Sequence, residues 1–141
     1  MTELKAATGA LVQVLKGHGY GFLGPTAITV DRTHVWVTNG SGGSVTELDA
    51  ATGTLVQVLK RPSYQFSQPS AVASNGTHVW VINNRSGSVT ELKAATGALV
   101  KVLTGLSYQF SQPSAVASDG SHVWVTNPGD DSLTEFPASP K

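Results

Sequence analysis

Three histidines, His34, His78 and His122, recur at intervals of 44 residues, each two positions ahead of a tryptophan (Trp36, Trp80, Trp124). Imidazole ligates metals and moves protons near neutral pH, so three of them could in principle hold one cation. Equal spacing argues against that. Equivalent positions of successive repeats lie too far apart to share an ion, and each histidine reads instead as the polar start of a strand, hydrogen-bonded locally. The segment NPGDD at 127–131 puts Asp130 and Asp131 on one loop and could offer oxygens to Ca²⁺. One repeat alone carries it, and a solvated turn is the simpler reading. Ser, His and Asp are all present, but a hydrolytic triad needs three groups within mutual reach in one cleft, and the repeats distribute each type evenly. Gly17, Gly19 and Gly21 spell G-x-G-x-G with no helix to follow, so a phosphate cradle is not indicated. The chain has no cysteine, hence no thiolate nucleophile, zinc–thiolate site or disulfide. No catalytic residue, metal or cofactor is expected.

A second set of residues could bind rather than react. Tyr20 and Phe22, Tyr64 and Phe66, and Tyr108 and Phe110 form three Tyr-x-Phe pairs in loops, and Arg85, Asp130 and Asp131 sit in further loops. Aromatic platforms with polar groups suit a glycan, a peptide or another small ligand. The competing reading is that the pairs pack down over structural junctions, and identical sequence at two of the three favours it. Asn39-Gly-Ser, Asn75-Gly-Thr and Asn84-Arg-Ser match the N-glycosylation pattern, a frequent accident of Asn-Gly turns.

The period itself dictates the elements that position these residues. SYQFSQPSAVAS at 63–74 recurs unchanged at 107–118, and TELKAATGALV at 2–12 recurs at 90–100. A fixed period in the range of about 20–50 residues marks a solenoid, propeller or array. Within the unit from Pro69, apolar residues alternate over four to six positions between Gly, Asn, Asp, Ser and Thr, which is strand and turn without helical periodicity. Strands are expected at 70–74, 78–82, 88–92 and 99–103, with a type I′ hairpin turn at Asn75-Gly76, a polar loop at 83–87 and a second turn at 94–97. In the second strand Val79 and Val81 share one side, while His78, Trp80 and Ile82 share the other. Both faces are largely apolar, as in a sheet sandwiched between two neighbours. Four antiparallel strands in 44 residues make one blade of a β-propeller.

Composition adds exclusions. Nine basic and nine acidic residues cancel among 141, and no stretch clusters Lys or Arg, so neither nucleic acid nor a membrane surface is an expected partner. No signal-peptide pattern opens the chain as given, and no apolar run is long enough for a transmembrane helix. A soluble protein is expected, its compartment undefined.

The stretches 33–39 (THVWVTN), 77–83 (THVWVIN) and 121–127 (SHVWVTN), followed by SVTEL and AATG segments, resemble the bacterial YVTN-type and NHL-like β-propeller repeats. The resemblance covers essentially the whole chain. It implies the blade and no particular activity: such propellers serve as binding scaffolds and occasionally as lyases or hydrolases.

Three blades cannot close a ring that needs about four to eight. An open arc would expose two apolar blade faces, on the order of several hundred Å² each. The chain, 1–141 as one propeller segment, is therefore expected to bind a second copy, giving six blades with twofold symmetry. Its terminal strands, within 1–15 and 114–136, would form shared junction blades. Third strands are expected four times, at 1–4, 44–48, 88–92 and 132–136, so the first and last compete for one place, and Pro137 and Pro140 limit any extension of the last. That surplus hints at a fragment or an engineered permutation of a longer propeller. The expected role is a self-assembling scaffold without catalysis; the alternatives are a carbohydrate- or peptide-binding module using the long loops, and a propeller-type lyase or hydrolase.

Overall fold

The computed structural model describes residues 1–139. The chain is all-β, with thirteen strands among these residues. β1 (Thr2–Leu4) and β2 (Leu11–Val14) form a hairpin. β3 (Pro25–Val30), β4 (His34–Asn39), β5 (Ser44–Asp49) and β6 (Leu55–Leu59) make a four-stranded antiparallel blade. β7 (Pro69–Ser74), β8 (His78–Asn83), β9 (Ser88–Lys93) and β10 (Leu99–Leu103) make a second. β11 (Ala115–Ser118), β12 (His122–Asn127) and β13 (Ser132–Pro137) form a three-stranded sheet that has no fourth strand among the described residues. The two four-stranded blades repeat the same strand order and register, Trp36 facing Glu47 as Trp80 faces Glu91. No helix among the described residues is long and apolar enough to cross a membrane.

The alternation read from sequence divides β8 between two cores. Val79 and Val81 enter one cluster with Trp36, Val45 and Leu59 of the preceding blade. Trp80 and Ile82 enter the other with Val123, Val125 and Phe136 of the following sheet. Burying each such side chain stabilises by about 1.5–3 kcal/mol, and a blade is held because both its faces are covered.

Polar side chains lock the loops to this frame. Asn83 is fully buried; its Nδ2 donates to Ser88 Oγ (3.3 Å) and Thr90 Oγ1 (2.9 Å), and its Oδ1 accepts the Ser67 N–H (3.2 Å). Thr90 in turn donates to the Tyr64 carbonyl at 2.7 Å, tying the entry loop to the third strand. Asn127, Ser132, Thr134 and Tyr108 repeat the arrangement.

Two local expectations need correction. The 75–77 connection is not a type I′ turn, because Asn75 does not take positive φ, although Gly76 does (φ 88°). Asn75 Oδ1 instead accepts from Thr77 N (3.0 Å), Thr77 Oγ1 (2.9 Å) and His78 N (2.9 Å), an Asx turn that supplies the bend by side-chain bonding. Short 3₁₀ turns also occur, at His18–Tyr20 and Pro62–Tyr64. Of the two prolines expected to cap β13, Pro137 ends the strand and Pro140 lies outside the described residues.

Asn83→Ala leaves the Ser67 N–H without its partner and removes one of the two bonds made by each of the Ser88 and Thr90 hydroxyls, and is expected to destabilise by about 2 kcal/mol in urea unfolding. Asn39→Ala should cost less, because the buried Asn39 Oδ1 already lacks a donor.

Candidate functional site

The three Tyr-x-Phe pairs are stacked, with centroids 5.2–5.3 Å apart. Their positions differ from open platforms. Tyr64 is buried and, with Phe66, packs in the cluster joining the two four-stranded blades. Tyr108 and Phe110 pack in the next cluster, edge-on to Phe136 at 5.9 and 6.4 Å. Tyr20 and Phe22 are half-buried at the first junction, where Phe22 borders a small cleft with Met1, Pro25 and Ile28. The pairs thus fill three successive junctions and do not meet in one cleft. Arg85 is exposed, and its backbone N–H donates to the Ser67 carbonyl. Asp130 accepts from Ser132 Oγ at 2.7 Å, and Asp131 adopts a left-handed φ of 57°, both serving the turn into β13. Among the described residues no three His, Asp or Glu side chains are grouped to hold a metal ion.

A larger concavity lies elsewhere. The first-to-second-strand turns at 31–33, 74–77 and 118–120 converge around a cavity of about 630 Å³. This is the end of the blades opposite the long loops, and its lining is carboxylate, amide, hydroxyl and glycine backbone with one guanidinium, that of Arg32. Sequence reading missed it because each turn alone is an ordinary strand connection; only the packing of β3, β7 and β11 brings three together. Direct bonds link neighbouring turns: Ser74 Oγ donates to Asp31 Oδ2 (3.1 Å), and Asn75 Nδ2 reaches the Gly120 carbonyl (3.4 Å). Burial pushes the Asp31 carboxyl up, but donors from Thr33, His34, Trp36 and Ser74 outweigh it and hold the pKa below the usual carboxylate value. Asp119 is likewise lowered by the His122 and Ser121 N–H groups.

The histidines occupy a different row. His34 Nε2 lies 3.4 Å from Glu47 Oε1, and Glu47 Oε2 accepts from Gln57 at 2.6 Å. His78 faces Glu91 at 3.9 Å with Lys101 at 3.5 Å on the other oxygen, and His122 faces Glu135 at 3.9 Å. Nδ1 of His34 and His78 meets the preceding threonine hydroxyl at 2.9 and 3.2 Å. Each imidazole belongs to its own blade, next to a glutamate that sequence reading had not paired with it. The cross-strand register, Trp to Glu, was the available signal. Burial raises the Glu47 pKa despite the opposing Gln57 hydrogen bond and His34.

No protein-family model matches the chain, and no curated protein matches it in sequence. Solved structures do match. Virginiamycin B lyase from Staphylococcus aureus superposes with a TM-score of 0.68 at 17% identity, over 99% of this chain and 49% of that one. Kuenenia stuttgartiensis hydrazine synthase gives 0.64 at 23%, over 90% and 38%. The WD40 repeats of RRP9 give 0.61 at 20%, over 86% and 40%. The fold is that of a β-propeller. The chain spans half or less of the length of each of these structures, and at such identities the likeness speaks for the fold alone.

Two substitutions test the site's electrostatics. The Trp36 indole donates to Asp31 Oδ2 at 3.1 Å, whereas the buried Trp80 indole has no acceptor, because Asn75 presents an amide NH₂ at that position. Asn75→Asp supplies that acceptor at the loss of the exposed 3.4 Å bond to the Gly120 carbonyl, and is expected to stabilise by about 1 kcal/mol, read as a raised urea midpoint. For Glu47, a raised folded pKa contributes stability at acid pH that is lost as pH climbs through that value. Glu47→Gln should therefore match the wild type at acid pH and become the more stable protein toward neutrality, as followed by thermal unfolding.

Proposed function

We propose that this chain is a non-catalytic propeller scaffold whose open ends are closed by a second copy of itself. One observation carries the reading: positions fully buried in the inner blades are exposed at the ends of the arc. Val45 and Val89 are 0% exposed, but the equivalent Leu133 is 62% exposed. Val72 is 7% exposed, but the equivalent Ile28 is 56%. Trp36 and Trp80 are fully covered, while Trp124 is half-buried. A repeat written for two covered faces leaves one bare at each end, and such patches are association sites. The end faces belong to the same repeat, so each is shaped for the other, and a head-to-tail contact repeated twice closes a six-blade ring. The structural neighbours, at roughly twice this chain's length, support a ring of about that size.

The 630 Å³ polar cavity favours a second reading, a small hydroxylated or amide-bearing ligand at the short-turn face. It is compatible with a scaffold, since closing the ring would extend the same row of turns. A lyase- or hydrolase-like activity has less support, because the histidines stay paired with glutamates on separate blades.

Light scattering on a size-exclusion column decides the main reading. The expected mass is twice the 14.6 kDa of one chain. A one-chain mass at every concentration, or open-ended growth to larger assemblies, would overturn it.

A further inference from the structure

We propose that association, where the scaffold reading holds, proceeds by an exchange of strand partners: the sheet β11–β13 of one copy takes β2 of the other as its fourth strand, and β1 is expelled. The missing strand can be identified from the blades that are complete. β5 is covered by LVQVL at 55–59 and β9 by LVKVL at 99–103. Among the described residues the equivalent strand outside a four-stranded blade is β2, with LVQV at 11–14.

β2 already stands where a fourth strand should. Gln13 Nε2 reaches the Thr52 carbonyl of the next blade at 3.3 Å, as Gln57 Nε2 reaches the Thr96 carbonyl at 3.0 Å. Leu15 is buried like its equivalents Leu59 and Leu103. What the N-terminal blade lacks is everything inward of this strand, and β1 occupies part of that space.

β1 and β13 are repeat equivalents, so one ring place cannot hold both. β1 pairs over three residues, and all three are exposed. β13 pairs with β12 over six, places Phe136 in the core against Tyr108 and Phe110, and bonds Asn127 through Thr134. Displacing β13 would dismantle a packed core; displacing β1 gives up a short solvated hairpin and the Glu3–Gln13 contact of 2.6 Å.

The polar row gives the same answer. It is complete as His34–Glu47–Gln57 and as His78–Glu91–Lys101. At the ends it is broken into complementary parts: His122–Glu135 without a fourth-strand donor, and Glu3–Gln13 without a histidine. In the register of β10 on β9, Leu99 opposite Leu92 and Lys101 opposite Glu91, Leu11 of one copy lies opposite Phe136 of the other and Gln13 opposite Glu135. The exchange restores His–Glu–Gln and leaves Glu3 as the surplus group.

Because the chain has no cysteine, the register can be read by disulfide trapping. Opposed residues of an antiparallel pair have Cα atoms about 4.5–5.5 Å apart, within disulfide range. Gln13→Cys chains mixed with Glu135→Cys chains should form a linked dimer under mild oxidation, and neither variant should do so alone. Removing residues 1–4 should tighten association about tenfold, since the competitor is gone. Locking β1 in place through Glu3→Cys with Gln13→Cys in one chain should abolish it. Circular dichroism confirms that each variant stays folded. A dimer of the expected mass without the 13–135 link, or one that is lost on removal of residues 1–4, overturns the exchange and leaves self-association standing. Absence of any dimer overturns both.

Discussion

Everything in this chain depends on one constraint: each sheet is apolar on both faces and must be covered twice. A sheet that packs on one side alternates apolar with polar residues, but β8 alternates apolar with apolar, sending Val79 and Val81 one way and Trp80 and Ile82 the other. Such a strand has no solvent side to retreat to. Stability therefore resides in the junctions between blades as much as within them, and the arc's ends are its weakest part. The gradient from covered Trp36 and Trp80 to half-covered Trp124 is that constraint expressed in a single residue type.

Buried polar groups convert this nonspecific adhesion into a fixed geometry. An apolar face alone tolerates sliding, whereas Asn83 bonded to Ser88, Thr90 and the Ser67 N–H admits one arrangement of the loop over the strand ends. The His–Glu–Gln row does the same across second, third and fourth strands, and Thr26 Oγ1 on the Pro69 carbonyl at 2.7 Å aligns one first strand with the next. The asparagine and His–Glu contacts lie at repeat positions and recur from blade to blade, whereas the Thr26 bond does not, since the equivalent Ser70 Oγ is buried without a partner. Where the repeat drifts, a local defect results: Asn75 in the place of Asp31 and Asp119 leaves the Trp80 indole orphaned.

Strands and faces were legible because period-2 alternation and a 44-residue repeat are properties of the sequence itself. The expected second to fourth strands of the middle unit match β8–β10 to within a residue, and Val79 and Trp80 point as their alternation requires. Connections were less legible because their geometry is set by side-chain bonding and packing. Asn-Gly read as a type I′ turn, yet Asn75 holds an Asx turn. The loops GYGFLGP and SYQFSQP share their Tyr-x-Phe pair and final proline but differ at every other position, yet both carry left-handed residues at the same places, Gly21 and Gly24 in one, Gln65 and Gln68 in the other. Glutamine accepts that conformation at a cost of about 1 kcal/mol or more, held there by the stacked Tyr64 and Phe66. Glycine merely permits it. The polar cavity was illegible for a further reason: no single repeat contains it.

Near-identity of repeats also limits where function can be written. A residue present three times must first satisfy the junction, as the Tyr-x-Phe pairs do, so any asymmetric property has to come from positions where the repeats disagree. Among those positions are Asn75 among aspartates on the cavity rim, Lys101 where the other rows have Gln13 and Gln57, Arg32 in the place of Gly76 and Gly120, and the terminal pair β1 and β13. The rim differences give the cavity one cationic side in an otherwise acidic and amide lining. The terminal pair differs in a more consequential way, since Leu4 is 55% exposed while Phe136, in the equivalent place, is 8% exposed. A larger aromatic at that position fills the junction that Leu48 and Leu92 fill elsewhere, and it does so from the end of the chain that already owns two inner strands. The chain thus carries one strong and one weak claim on the same place, and the weak one shields the β2 edge that the proposed exchange would use.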